Sequence, residues 1–404
     1  MRTKSKMKTK ELKNINVLIF FNSFWTSYSG GDHFLIQIFK RIRYSLNKIY
    51  CFTNKKGMTH IKNNVEDTTF FISYGFFDKF HIMISYILRT IKAFSCIKLK
   101  NIDLIYSSSD FFPDVLPAFI YKKFYPKTIW HQCIHLIYTD YKKVPGNKLR
   151  KIIARLLQRF SFLFAMSADI IIVVNSHDKE YLIKKGFKRE KIVVIMPGVD
   201  VDYLSNLKIS ESIASYDGSY LARLHSSKGI YDLVEIWKIV VKKIPNAKLA
   251  VIGGGDENII LDLNKEIIGA GLQNNIILFG FKKNEVALKI VKSSKLFIFP
   301  SYQESFAIVI AEAMACKVPV IAWNLEAYEE IYQDNIFKIS TGSVNLFADK
   351  VIDLFLNPSI LEQKAKIGYE FIRKYNWDNV AKNYTEVLIR SLKLKDFLYN
   401  EPQN

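Results

Sequence analysis

The chain has 404 residues, of which 49% are apolar and 24% charged; this is a globular composition, too long for one ordinary core, so two domains of roughly 200 residues are expected. Its four cysteines, Cys51, Cys96, Cys133 and Cys316, lie far apart with no C-x-x-C pair and no histidine at zinc-ligand spacing, which argues against a disulfide framework or structural zinc and fits a reducing compartment. The net charge of +20 sits wholly in the first half: residues 1–200 hold 34 Lys and Arg against 14 Asp and Glu, whereas residues 201–404 hold 24 of each. A field that one-sided points to an anionic partner for the first half, either a membrane surface, a nucleic acid or a phosphorylated acceptor.

In chain order, residues 1–15 read as a basic tail leading into a strand, Val17 to Phe21; that apolar run is too short for a signal peptide. The Gly30-Gly31 turn then precedes a helical pattern from His33 to Tyr44. Short strands are expected at Leu104–Ser107 and Thr128–Trp130. The continuous apolar runs 169–175 and 191–196 suit a parallel sheet buried on both faces, and the second is closed by Pro197-Gly198. The same rhythm returns in the second half. Strands are expected at 219–223, 248–252, 276–279, 296–300 and 318–322, with a helix at 229–243, the glycines Gly253-Gly254-Gly255, and a last helical segment at 376–398. Alternating strands and helices in both halves predict two doubly wound α/β domains. The division is 1–15 tail, 16–197 N-terminal domain, 198–376 C-terminal domain and 377–404 C-terminal helix.

No 18 uncharged apolar residues run together, since Asp169 interrupts the stretch from Phe160 to Val174, so a spanning helix is not expected. Two segments of the first half are apolar and basic together: 81–99, with Arg89, Lys92 and Lys98, and 149–164, with Arg150, Lys151, Arg155 and Arg159. Such helices either lie in a membrane interface or pack one apolar face on the sheet. The charge asymmetry favours membrane contact.

The segment Pro300-Ser-Tyr-Gln-Glu-Ser-Phe-Ala-Ile-Val-Ile-Ala-Glu-Ala-Met-Ala-Cys-Lys-Val-Pro-Val-Ile-Ala322 sets Glu304 and Glu312 in an apolar run, although carboxylates are rarely buried without partners. With 296–299 a strand and 305–316 a helix, the helix starts at the carboxyl end of a strand, where open α/β sheets bind ligands and helix N–H groups favour phosphate. On that helix the two carboxylates are at most about 12 Å apart, too far for one metal and suited to an extended polyhydroxylated ligand with a diphosphate in its middle. Arg223 and Lys228, following the strand at 219–222, supply the matching cations.

The run Pro300-Ser-x-x-Glu-Ser-Phe with Glu312-Ala-Met-Ala-Cys-x-x-Pro-Val-Ile-Ala resembles the signature of glycosyltransferase family 4, a retaining family of the GT-B fold. Ala222-Arg-Leu with Lys228-Gly229, Val251-Ile-Gly-Gly-Gly255, Gly280, Pro197-Gly-Val-Asp200, Val174-Asn-Ser176, Gly30-Gly31 and Trp377 continue the likeness in the right order. The resemblance implies two Rossmann-like domains facing a cleft, with the C-terminal helix crossing back to the N-terminal domain. It implies a retaining, metal-independent hexosyltransferase with no cofactor, which takes a nucleotide-diphosphate sugar as donor. Glu304 then touches the donor sugar and Glu312 the ribose. Arg223, Lys228 and the N–H groups of Phe306, Ala307 and Ile308 hold the diphosphate. Gly30 and Gly31 form the glycine loop of the N-terminal domain, and His131, at the end of a strand, lies beside the reacting sugar, with His135 as the alternative.

The sequence departs from the pattern at three places. Ala307 and Lys317 stand where the family has glycine, and the loop Gln333-Asp-Asn-Ile-Phe337 lacks the usual glycines, with Glu329 or Glu330 nearby as further contacts to the nucleotide. Asp200-Val-Asp202 resembles a metal-binding Asp-x-Asp but falls at the domain boundary, and Gly253–Gly255 lacks the third glycine of a dinucleotide fingerprint. The acceptor is expected to be lipid-linked or a glycan intermediate, and the protein cytoplasmic and peripheral on the inner face of the membrane, with no nucleic acid bound. The alternatives are another sugar-nucleotide enzyme of the same fold (an epimerase or phosphorylase-like enzyme) or a non-catalytic membrane- or nucleic-acid-binding relative.

Overall fold

Two all-parallel sheets organise the chain in the computed structural model, which describes residues 12–24, 29–73, 75–79, 81–138, 144–209 and 213–400. Of the basic tail, residues 1–11 lie outside the described residues. One compact unit comprises residues 1–139, 149–197 and 377–404; the other comprises 140–148 and 198–376.

In the first unit, β1 (Asn16–Phe21), α1 (Gly30–Ile42), β2 (Lys48–Thr53), α2 (Lys55–Lys62) and β3 (Thr68–Ile72) build one side of the sheet. The chain then crosses back through α3 (Ile82–Ala93) to β4 (Leu104–Ser107), α4 (Phe112–Phe124), β5 (Ile129–Ile134), α5 (Lys148–Ala165), β6 (Ile170–Val173), α6 (Ser176–Lys184) and β7 (Ile192–Val194). The strand order is β3-β2-β1-β4-β5-β6-β7. Helix α1 starts three residues before the sequence pattern suggests, because Ser29 and Asp32 form a capping box: the Ser29 side chain accepts from Asp32 N–H and the Asp32 carboxylate accepts from Ser29 N–H.

The second unit contains α7 (Val201–Ser205), β8 (Tyr216–Leu221), α8 (Ile230–Lys243), β9 (Leu249–Ile252), α9 (Glu257–Gly269), β10 (Ile276–Gly280) and α10 (Asn284–Lys292). It continues through β11 (Ser294–Phe299), α11 (Ile308–Ala315), β12 (Val320–Trp323), α12 (Glu326–Ile331), β13 (Phe337–Ile339), α13 (Val344–Leu356) and α14 (Pro358–Ile372). Its order is β10-β9-β8-β11-β12-β13. In each sheet the order reverses once, at β1/β4 and at β8/β11, and these are the points where loops part and leave a crevice at the strand ends.

The final helix, α15 (Trp377–Asn400), belongs to the first unit. Its Trp377 ring meets His33 at 5.2 Å, Asp378 pairs with Arg41 at 2.6 Å, and Tyr384 is packed among Phe39, Tyr106 and His131. Trp377 and Tyr384 are 1% and 0% exposed, so the helix closes the core over that sheet face.

Candidate functional site

At the β8/β11 switch point the sequence dictates an unusually close approach of two loops. Strand β8 stops at Leu221, two residues before Arg223, which is exposed on the loop beyond it. That loop is held by Leu224 N–H donating to the Gly254 carbonyl at 2.8 Å. It then makes a single turn, Ser226–Lys228, and leaves through Gly229 at φ +70°. A Cβ at Gly229 would lie 1.8 Å from the Pro300 carbonyl oxygen at the end of β11, so no side chain fits and the backbone conformation itself calls for glycine. Tyr302 N–H donates to the Ser227 carbonyl at 2.9 Å and ties the two loops together.

This approach brings Lys228 and Glu304 into contact. Lys228 Nζ lies 2.5 Å from Glu304 Oε1, with side chains only 18% and 13% exposed, and Ser301 Oγ donates to the same oxygen at 2.8 Å. A second Lys228 N–H reaches the Gln303 carbonyl at 3.5 Å. An ammonium has three donors, which leaves one for an anion.

The helix after Glu304 begins later than the sequence suggests. It runs from Ile308 to Ala315 rather than from residue 305 to 316, because Ala307 takes left-handed angles, φ +59° and ψ +70°, and breaks the run. The axial estimate of the Glu304–Glu312 spacing therefore does not apply, since Glu304 to Ala307 is loop. That loop is fixed from outside by Tyr332, whose Oη lies 2.8 Å from the Phe306 carbonyl and 3.0 Å from that of Ala307. Ser305, Phe306 and Ala307 are buried, yet among the described residues no group accepts from the N–H of Phe306, Ala307 or Ile308. Unpaired N–H groups on buried backbone are rare, and those of buried Phe306 and Ala307 with that of half-buried Ile308 form an anion-binding concavity at the helix start. Lys317, the other departure from glycine, is also left-handed at φ +63°. It caps α11 in a Schellman arrangement, with Val318 N–H donating to Ala313 O and Lys317 N–H to Met314 O, each at 3.0 Å.

Glu312 is 9% exposed inside α11. Burial pushes its carboxyl up to about 7; the Asn284 side chain opposes the rise and Asp200 adds to it. Glu329 pairs with Lys338 at 2.5 Å on the neighbouring strand β13.

In the first unit the β1/β4 switch point carries the glycine loop. Gly30 and Gly31 open α1, and a Cβ on Gly31 would sit 2.6 Å from His135 Cδ2. His135 follows β5 directly, and its Nε2 is 3.0 Å from the Ser108 carbonyl. Burial lowers its imidazole to about 4, so the ring is neutral. His131 has to be reassigned. The strand expected to stop at Trp130 continues to Ile134, so His131 lies mid-strand, 0% exposed, with Nε2 3.0 Å from Ser391 Oγ of α15 and its ring edge-on to Tyr384. Burial depresses it to about 3. It is a fully buried core residue in this structure, and His135 is the histidine beside the glycine loop.

Asp114 is the functional-looking residue that sequence reasoning passes over. It accepts from Asn22 N–H at 2.6 Å, Ser23 Oγ at 2.8 Å, Ser109 Oγ at 2.6 Å and Ser108 Oγ at 3.1 Å, and so braces the loops after β1 and β4. Burial raises its carboxyl to about 6 against those bonds. The run Ser107-Ser108-Ser109 just beyond a strand was the available signal.

A model of glycosyl transferases group 1 matches residues 219–372, and one of glycosyltransferase family 4 matches residues 48–203. An uncharacterized glycosyltransferase of Methanocaldococcus jannaschii is 27% identical over 55% of this chain and 60% of its own length. A phosphatidyl-myo-inositol mannosyltransferase of Mycobacterium leprae is 28% identical over 48% of this chain and 52% of its own. The matched region thus covers less than two thirds of these relatives. The Anabaena protein HepE, solved in complex with UDP-glucose, superposes with a TM-score of 0.75 over 93% of this chain and 100% of its own at 16% identity. With two parallel-sheet α/β units, the fold is GT-B.

Proposed function

The chain belongs to the group 1, family 4 glycosyltransferases, and from that premise we propose that it is a retaining, metal-independent enzyme that moves a hexose from a nucleotide-diphosphate sugar to a lipid-linked or glycan acceptor at the inner face of the membrane. The observation that carries the reading is the β8/β11 crevice, where Arg223, the free donor of Lys228 and the unpaired N–H groups of Phe306, Ala307 and Ile308 belong to two loops tied together by backbone contact. Five donors of this kind suit a diphosphate, whose charge grows as the sugar leaves, so they stabilise the transition state more than the ground state.

Glu304, held by Lys228 and Ser301, is a fixed acceptor for sugar hydroxyls. Glu312 accepts from the ribose when ionised. In the reaction the bond from the anomeric carbon to the diphosphate oxygen breaks and the bond to the acceptor oxygen forms on the same face. The acceptor hydroxyl proton passes to the departing diphosphate. No covalent enzyme intermediate is needed. His135 and the Gly30-Gly31 loop lie together at the β1/β4 switch point of the first unit, and neutral His135 is a hydrogen-bond partner there rather than a charge. The Mycobacterium leprae relative is named for a phosphatidyl-myo-inositol acceptor, which supports the lipid-linked choice, and the UDP-glucose complex of the Anabaena protein makes UDP the first nucleotide to try.

The test is a thermal-shift panel of UDP, GDP, ADP, CDP and TDP on wild type and Arg223→Ala, followed by a transfer assay on Glu304→Ala. At 100 times its dissociation constant a nucleotide stabilises by about 2.7 kcal/mol. One nucleotide that shifts wild type but not Arg223→Ala is the expected result. Wild-type transfer by Glu304→Ala would overturn the assignment.

A further inference from the structure

Helix α5 is buried on one face and apolar on the opposite one. Its inward face places Gln158, Ser161, Phe162 and Ala165 at helical spacing against the sheet. Leu149, Ile152, Ile153, Leu156, Phe160 and Leu163 follow the same spacing on the opposite side, and are between 39% and 66% exposed. They form a stripe about 21 Å long. Soluble monomers rarely leave a contiguous apolar strip of this kind uncovered. Helix α3 repeats the pattern, with Ile84, Ile87 and Ile91 at 49%, 50% and 59% exposed, opposite buried Ser85, Arg89 and Ala93. The two helices share a layer: Ala93 of α3, Val115 and Ala118 of α4, and Phe162 and Ala165 of α5 enter one core cluster. Tyr86 meets Phe112 at 5.9 Å and Phe119 meets Phe164 at 5.2 Å, so α4 links α3 to α5.

The charges bordering the stripe have one sign. Helix α5 carries Lys148, Arg150, Lys151, Arg155 and Arg159 and no acidic residue, and Lys148, Arg155 and Arg159 recur along one flank of the apolar face. This is the arrangement of a helix lying in an anionic interface, with side chains such as Leu156 and Phe160 among acyl chains and long cationic stems reaching the headgroups. Among the described residues no helix is long and apolar enough to cross a membrane.

We infer that the outward faces of α3 and α5 are a docking surface for an anionic lipid bilayer. The inference rests on the membrane location given under the proposed function and names the surface responsible. The choice of lipid follows from charge complementarity, since the flank is uniformly cationic and lies in the half that holds the whole excess of positive charge.

The experiment is co-sedimentation of the full chain with phosphatidylcholine vesicles with or without phosphatidylglycerol, together with melting and nucleotide thermal shifts on the same preparations. Wild type should partition onto the anionic vesicles, weakly onto neutral ones, and release at about 1 M salt, where screening is nearly complete. Leu156→Asp/Leu163→Asp should lose at least tenfold in partition with its melting temperature and nucleotide shift unchanged. Arg159→Gln, a mild change at an exposed position, should lose about fivefold. Equal binding to both vesicle types, no binding, or full binding by both variants would overturn the inference. So would a wild-type dimer in light scattering that Leu156→Asp/Leu163→Asp converts to monomer, because the stripe would then be a contact between copies. A normal nucleotide shift alongside failed vesicle binding would sink the docking surface and leave the donor site standing.

Discussion

Replacing Glu312 by glutamine tests the donor crevice and the stability of its helix together. Glu312 titrates near 7 rather than at the ordinary 4.5, because burial in α11 penalises the carboxylate. Its folded-state value is raised, so the favourable contribution of the neutral acid is fully present below pH 4.5 and is lost as pH climbs through 7. The rise corresponds to about 3 kcal/mol. Glutamine is close in shape and never ionises. Glu312→Gln should therefore match wild type within about 1 kcal/mol at pH 5 and exceed it by about 3 kcal/mol at pH 8. Urea unfolding followed by tryptophan fluorescence measures this, since Trp237 and Trp323 are buried in the same unit as Glu312. Nucleotide binding should respond in the opposite sense. A ribose hydroxyl donates more strongly to the ionised carboxylate than to the neutral acid, so wild-type affinity should fall as pH drops below 7, by at most about tenfold per pH unit, and the Gln variant should bind weakly with no such dependence. A stability gap that stays flat from pH 5 to pH 8 would refute the reasoning.

The remaining predictions concern the loops that meet at the crevice. Gly229→Ala adds a Cβ only 1.8 Å from the Pro300 carbonyl at a left-handed backbone; it should cost at least about 3 kcal/mol in urea unfolding and abolish the nucleotide shift. Lys228→Met leaves Glu304 without its cation in a mostly buried setting and should destabilise by roughly 2 kcal/mol. Adding Glu304→Gln should restore most of that stability without restoring nucleotide binding, a coupling that a double-mutant cycle reads directly. Ala307→Gly relieves a left-handed alanine at φ +59° and should raise stability by about 1 kcal/mol, visible as a higher melting temperature.

The parts legible in the sequence were those where one force dominates. Val17 to Phe21 of strand β1 are all at 0% exposure, as expected for an apolar run in a doubly covered strand. The crevice was legible because Glu304, Glu312, Arg223 and Lys228 are costly residues in apolar or turn-rich surroundings. What was missed depends on partners remote in sequence. Strand β3 (Thr68–Ile72) lies at the sheet edge with half-exposed Thr and Phe, so neither an apolar run nor alternation marks it. The continuation of β5 through His131-Gln132-Cys133 looks polar, and its side chains find partners in Ser391, the Ser109 carbonyl and Tyr106, which are 260, 23 and 27 residues away. The true start of α11 is hidden for a similar reason: an alanine gives no local hint of a left-handed turn, and Tyr332 is what holds the loop there.

The return of α15 to the first unit also orders events during synthesis. Residues 198–376 must emerge between the last strand of that unit and the helix that covers it. At about 5–20 residues per second, the surface formed by Phe39 of α1 with Tyr106 and His131 of the sheet waits roughly 10–40 s for Tyr384, Leu388 and Ser391. Throughout that interval the nascent first domain presents an aromatic surface with a solvated histidine at its centre, while the second domain, whose strands all lie between residues 216 and 339, has them all to hand. The later-made domain is thus free to complete its fold first, and the domain begun first is the one that depends on the end of the chain.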